Sequence, residues 1–448
     1  MAYDGRGSID FGKDAIPHLF RSIFIPTLLG MVADVAFILT DGIFVGNGVG
    51  AEGLASVNLV CPAMMLITGL GVMFGLGGSV VGAIHLAKDN IKAARIDITQ
   101  AFSWAIFLSL VVVALLYAFP TPVLKLFGVS EALMATAREY YMWFVPTCFF
   151  IMIQIVGSFI IRLDGSPRYS MMATAVPAVI NMVLDWTFIF PCGWGLKGAA
   201  LATDIGTSVG AVMTFVYMFG FADKLKFYRL KRSVTSLRLS LRNVGYMIRV
   251  GFSGFIAEFA ASMMILVGNL SFGKYLGDTG IAAYSVICYI YPLLINIFLA
   301  VALSAQPIIS FNHGANERSR VSGTFRYSVM FSMGFAAVMT CLSVLFSPYV
   351  ISAFLQRGTE AFKLAAAGLQ LFAIGFIPNS FNISAVGFFQ STESNGTSII
   401  LTLLRGYVFI VISYISLPLL FGPRALWLAV PVAEALTAVF SIIFIKRY

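Results

Sequence analysis

Long blocks of apolar residues, each separated from the next by a short polar stretch, recur from one end of the chain to the other. Twelve stand out, at 17–41, 53–80, 98–119, 136–160, 170–191, 197–221, 246–271, 281–308, 324–346, 361–388, 397–420 and 425–445. A helix needs roughly 20 apolar residues to cross a bilayer, and each block reaches that length. Strands of a membrane barrel would alternate apolar and polar positions over segments of about ten residues instead. The pattern predicts an all-α integral membrane protein of twelve transmembrane helices. Several blocks exceed what crossing requires, and tilt or bending absorbs the excess.

The twelve blocks fall into two sets of six. At an offset of 227 residues, Gly50 aligns with Gly277, Gly53 with Gly280, Ala55 with Ala282 and Cys61 with Cys288. The same offset aligns Gly195 with Gly422, Lys197 with Arg424, Leu201 with Leu428 and Ala202 with Ala429. Six crossings return a chain to the side it started from, so the repeats are parallel, related by an axis along the membrane normal as in one class of transporter. The expected organisation is a six-helix lobe over 1–221, a basic cytoplasmic linker over 222–245, and a second six-helix lobe over 246–448, pseudo-symmetric around a central cleft. The linker reads as a topological anchor and a tether.

Composition agrees with lipid as the main solvent. Hydrophobic residues make up 59% of the 448 positions and charged residues 11%, against about 25% charged in soluble domains. The net charge of +9 does not imply nucleic acid, because the basic residues cluster in a few loops between apolar blocks. Counted by side, 21 Lys and Arg residues fall with the N-terminus and 7 opposite. That bias places both termini in the cytoplasm of a multi-pass cell (inner) membrane protein. The five cysteines show no metal-binding spacing and read as small core residues. The polar start of the chain does not resemble a cleavable signal.

Chemistry enters with acids inside the apolar blocks, each costly in a bilayer by roughly 2.5–3.5 kcal/mol on insertion scales. They are Asp34, Asp41, Asp185, Asp204, Glu258 and Glu434. Asp34 and Asp41 are seven apart on one helix face, Asn181 and Asp185 four apart on another, and Ala199 and Thr203 four apart on a third. The second repeat offers Gly268 for Asp41, Ile412 for Asp185, Val408 for Asn181 and Val430 for Thr203. An asymmetric polar set points to a site in the first lobe. Two or three carboxylates with an amide and a hydroxyl form a hard oxygen set suited to Na⁺ or to one shared proton, since like charges held close cannot all stay ionised. Asp204 adjoins Thr203 but points about 100° away from it on a helix of 3.6 residues per turn. Glu258 is placed to meet a cationic substrate or to pair with a local hydroxyl or amide. Glu434 reads as structural or interfacial, and Arg405 as snorkelling to the cytoplasmic face. The glycines Gly69, Gly71, Gly75, Gly77 and Gly78 read as close helix packing. No Walker motif, nucleophile triad or metal-hydrolase motif is present, so neither an enzyme nor a cofactor is expected.

Three segments carry a family resemblance. IPTLLGMVADVAFILTDGIFVGNGVGAEGLA resembles the first helix and loop of the multidrug and toxic compound extrusion (MATE) family. INMVLDWTFIFPCGWGLKGAALAT resembles that family's fifth and sixth helices, and QPIISFNHGANERSR its loop after the eighth. The likeness spans nearly the whole chain and lies closest to the DinF-like and MepA-like bacterial branch. It implies a secondary antiporter whose lobes rock in alternating access, exchanging Na⁺ or H⁺ for small amphipathic or cationic drugs. It also implies antibiotic resistance as the phenotype, membrane lipids as surroundings and a monomer as the unit. The matching cation-binding set is Asp41, Asn181, Asp185, Ala199 and Thr203, with Na⁺, if used, at Asp41, Asn181, Asp185 and Thr203. Pro26 matches the bend in the first helix. Asp34, Asp204 and Glu258 remain as further coupling or substrate contacts. Glu258 matches a residue of the NorM-like branch, whose accompanying acid in the tenth helix has no counterpart in FAIGFIPNSFNISAVGFFQ. The rival readings are a lipid-linked oligosaccharide flippase of related fold and a channel.

Overall fold

The structure, a computed structural model, describes residues 9–127, 129, 131, 133–231 and 233–448. Arg6 and Arg232, two of the basic residues used above for orientation, lie outside the described residues. Apolar chain in lipid must satisfy its backbone N–H and C=O groups internally, and helices do so within one segment. The described residues accordingly form helices α1 (Ile16–Gly48), α2 (Ala51–Ala87) and α3 (Ile91–Ala118). Next come α4 (Met134–Phe144 and Thr147–Leu163), α5 (Pro167–Ile189) and α6 (Gly195–Phe221). The second half holds α7 (Val234–Gly277), α8 (Thr279–Gly314) and α9 (Arg318–Ser352). It closes with α10 (Glu360–Ala373 and Phe376–Ser391), α11 (Asn395–Phe421) and α12 (Pro423–Arg447). Among the described residues, ten of these helices are singly long and apolar enough to cross a membrane, and the bent pairs α4 and α10 bring the number to twelve.

The helices overrun the hydropathy blocks at their ends. The third block begins at 98, but α3 begins at Ile91, where the Asn90 side chain caps it by accepting from the Ala93 N–H at 3.1 Å. Lys92 and Arg95 end the apolar run without ending the helix. At the seventh block the helix begins at Val234, capped by Ser233, so among the described residues of the linker 222–231 and 233 are non-helical.

The repeat read from the sequence is written into the backbone. Gly50 and Gly277 take φ of 96° and 63°, and Gly195 and Gly422 take 54° and 82°. Asp89 and Asn316, also 227 apart, share left-handed φ of 54° and 61°. These conformations favour glycine or a short polar side chain, which is why glycine marks the alignment. Both α4 and α10 bend by 47°.

Two compact units divide the chain: Met1–Phe255 with Ser310–Asn316, and Ile256–Ile309 with Glu317–Tyr448. In the first, α5 lies along α1 and α6, while α2 packs on α3 and α4. Gly77 and Gly251 face the backbones of Met247 and Met73 with no room for a Cβ, so α2 and the first half of α7 approach backbone to backbone. In the second unit, Phe272, Tyr284, Phe298, Phe372, Tyr414 and Trp427 build an aromatic core.

The linker is more than a tether, because it is strapped onto the first unit. The Asp164 carboxylate, at the end of α4, accepts from the N–H groups of Asp223 (2.7 Å), Lys224 (3.0 Å) and Leu225 (2.8 Å) and from the Tyr217 hydroxyl (2.8 Å). Arg95 Nε donates to the Lys224 carbonyl at 2.7 Å, and the Tyr228 N–H donates to Thr99 Oγ1 at 2.9 Å. Phe227 packs edge-on against Phe102, with centroids 5.1 Å apart. Asp164→Ala leaves three backbone donors and a phenol without their acceptor. The expected cost is about 1–3 kcal/mol for the orphaned groups. It is read as new protease cleavage within 222–233 at a rate the wild type does not show, while Asp164→Asn, which keeps acceptor oxygen, loses less.

Candidate cation-binding site

The site is built on α1, α5 and α6. Pro26 sits within α1, buried, and the helix runs on through it to Gly48. On α5, Asn181 and Asp185 lie one turn apart and are 2% and 0% exposed. Glycine lets α6 come close at this level: a Cβ on Gly206 would stand 2.9 Å from the Asn181 Cβ and 3.0 Å from the Pro177 carbonyl oxygen. That approach carries Thr203 to Asn181, whose Nδ2 donates to Thr203 Oγ1 at 3.3 Å. Thr203 Oγ1 in turn donates to the Ala199 carbonyl at 3.1 Å.

Asp41 of α1 meets the same cluster. Its carboxyl and that of Asp185 are within hydrogen-bonding reach of each other, and the Asn181 amide neighbours Asp185. A hydrogen bond between two carboxyls needs a proton to lie between them. Without one, Asp41 Oδ1, Asn181 Oδ1 and both Asp185 oxygens are buried and unsatisfied. No Lys, Arg or His pairs with either acid among the described residues. Buried acids are tolerated when neutralised, and here the positive charge has to come from outside the side-chain set. The donors that remain are hard oxygens: two carboxyls, one amide oxygen and one hydroxyl. Among the described residues no group of three or more His, Cys, Asp or Glu converges as a metal site.

The other candidates are placed elsewhere. Asp34, seven residues before Asp41, is exposed and has no polar partner among the described residues. Asp204 accepts from Thr147 Oγ1 at 3.2 Å, on the side of α6 facing α4. Glu258 belongs to the second unit, half-buried, with no hydroxyl or amide bonded to it among the described residues. Arg405 does not snorkel to an interface as expected; its Nε donates to Glu434 at 2.7 Å inside the second unit, because a buried acid one helix away is a better partner than distant water. Elsewhere in the first unit, His85 Nδ1 lies 2.5 Å from Asp97 Oδ2.

One residue near the acids went unread in the sequence. Tyr140 of α4 is 4% exposed and lies near both Asp41 and Asp185. Its ring stacks on Phe144 at 5.5 Å, so it is held as a rigid wall beside the pair.

The comparisons with known proteins bear on the family and the fold. The MatE family profile matches residues 26–187 and 255–415. The multidrug export protein MepA of Staphylococcus aureus is 23% identical, aligned over 97% of this chain and 94% of its own length. A solved outward-facing multidrug resistance MATE family transporter of the MOP superfamily superposes with a TM-score of 0.88 at 22% identity, over 97% of this chain and 96% of its own. A MOP superfamily transporter from Pyrococcus furiosus, described as having reversed polarity in its binding pocket and a suggested different function, gives 0.87 at 20%, over 97% and 96%. The fold is therefore shared across chains whose pockets differ.

Proposed function

Because the chain belongs to the MatE family, we propose that it is a secondary active multidrug efflux antiporter that exchanges Na⁺ or H⁺ for amphipathic or cationic organic compounds by alternating access. It would act as a monomer in the cell inner membrane, surrounded by lipid, with both termini cytoplasmic. The observation that carries this reading is the pair Asp41 and Asp185, buried against each other without a basic partner. The names of the relatives, multidrug export protein and multidrug resistance transporter, support the substrate class.

In this reading Asp41 and Asp185 exchange a travelling cation for each other's repulsion. Asn181 and Thr203 add neutral oxygens, and the Thr203 hydroxyl is free to turn from the Ala199 carbonyl toward Asn181 or the cation. Arrival of the cation draws α1 toward α5, and its loss lets Asp41 move away. One charge moving through 100 mV supplies about 2.3 kcal/mol. At 1.4 kcal/mol per tenfold, that sustains roughly a 50-fold gradient of the exported compound. Fold likeness alone does not choose between Na⁺ and H⁺.

The test is transport of a fluorescent organic cation in proteoliposomes, with a Na⁺ gradient and an H⁺ gradient imposed separately. Uphill movement is expected with one of them. Movement with neither, or conductance on planar bilayers that ignores the cation gradient, as a channel gives, would sink the proposal.

A further inference from the structure

The second unit has its own buried acid, and that acid is already filled. Glu434, on α12, is 3% exposed. Its Oε1 accepts from Arg405 Nε at 2.7 Å and from Asn379 Nδ2 at 2.7 Å, and its Oε2 accepts from Asn382 Nδ2 at 2.7 Å. Asn379 Nδ2 also donates to the Tyr291 hydroxyl at 2.6 Å, and Tyr291 is within hydrogen-bonding reach of Arg405. Ser441 Oγ donates to Asn382 Oδ1 at 3.0 Å, fixing that amide with its donors toward the acid. Asn379 Oδ1 is buried with no donor, an acceptor left over in a cluster of acceptors.

The helix that brings the cation is built to do so. Arg405 sits in a π-helical turn, Leu404–Val408, within α11. Such turns insert one residue and re-aim the side chains around it, and they recur at functional positions. Without the inserted residue, the arginine would leave α11 at a different angle. Gly406 next to it packs on Ala260 with little room to spare, so the turn is locked against α7.

Comparison of the repeats by position shows that this cluster is not the counterpart of the first-unit acids. Offset by 227, Arg405 falls on Ala178 and Glu434 on Thr207. The counterparts of Asp41 and Asp185 are Gly268 and Ile412. Gly268 lies directly against the Tyr284 ring, and Tyr284 is hydrogen-bonded through its hydroxyl to Met264 and Tyr414. Aromatic packing fills the place that the first unit gives to its acids.

We propose that Glu434, Asn379, Asn382 and Tyr291 form a second cation-binding site, for a small monovalent or guanidinium-type cation, which the protein occupies permanently with the Arg405 side chain as a tethered ligand. The Glu434 cluster is thereby charge-balanced at all times and holds no exchangeable ion of its own. The site stands independently of the transport reading, because its test is one of stability.

Arg405→Ala vacates the site. In the full-length protein in detergent, the variant is expected to unfold several degrees below the wild type on heating. Millimolar guanidinium chloride is expected to recover most of that loss, sodium chloride part of it, and choline chloride, too large to enter, none. The wild type, already filled, does not respond, and adding Glu434→Gln to R405A removes the response. A flat response of R405A to guanidinium, or the same response from the wild type, overturns the proposal. If R405A fails to accumulate, the neutral pair R405M/E434Q decides: accumulation near the wild-type level supports it by tracing the defect to an unbalanced acid, and equal failure of the two overturns it.

Discussion

Asp185→Asn is expected to abolish uphill transport of an organic cation while leaving the protein folded. The substitution keeps the volume of the side chain and its hydrogen bonding and removes one negative charge. If the pair with Asp41 holds the coupling cation, the accumulation ratio in proteoliposomes falls from the roughly 50-fold that one charge can sustain to about one. Asp41→Asn should do the same, because either acid alone lacks its partner. Asp204→Asn is the comparator. Asp204 accepts from Thr147 and stands apart from the pair, so that variant should retain coupling. Stability gives a second readout. Asp185 is 0% exposed with both oxygens unsatisfied, and neutralising half of such a pair relieves repulsion. The heat-denaturation midpoint of D185N should hold or rise. A fall would mark Asp185 as a structural acid, and retained uphill transport would remove it from coupling.

What the sequence made legible follows from what lipid enforces. Twelve apolar blocks became twelve spans because an unsatisfied peptide group is too costly in hydrocarbon, and continuous apolar runs without strand alternation leave the helix as the structure that satisfies it. Their ends were less legible, because hydropathy stops at the first charge whereas the helix continues to a cap such as Asn90 or Ser233. The repeat was visible through Gly50, Gly277, Gly195 and Gly422, since left-handed turns restrict residue choice.

The site was legible where two residues share a helix and opaque where helices meet. Spacing put Asn181 beside Asp185, and the structure adds Asp41 and Thr203 to them. The same rule, that residues seven apart share a face, linked Asp34 to Asp41, but two turns is also about 10 Å of rise. The polar residues of α5 occupy one level, so Asp34 has nothing to meet there. Tyr140 arrives from a separate helix across a bend, and periodicity within α4 carries no sign of it. The linker reads as a charged coil until the tertiary fold brings Asp164 under three of its N–H groups. Arg405 and Glu434, 29 residues apart, lie on different helices and meet only in the tertiary fold, with Arg405 leaving its helix from a π-helical turn.

Glu434→Ala is expected to be the most destabilising single change in the second unit. It leaves the guanidinium of Arg405 without its acid and takes one acceptor from each of Asn379 and Asn382, which keep the Tyr291 hydroxyl and the backbone carbonyl of residue 434. Breaking a buried ion pair by removing one partner typically costs about 3–5 kcal/mol, whereas replacing both partners by well-packed neutral residues is often close to neutral. The Arg405 side chain, 19% exposed against 3% for Glu434, can recover part of the loss by turning its stem toward water. Glu434→Gln, which keeps an oxygen for the two amides, should cost less than Glu434→Ala. A double-mutant cycle on Arg405→Met and Glu434→Ala, read by thermal unfolding, should give a coupling energy well beyond the ~0.5 kcal/mol expected of independent sites. Additive effects would mean that the two side chains meet without depending on each other. In that case the short distance between them reflects shared burial, and the second unit would need another source of positive charge to hold Glu434 where it lies.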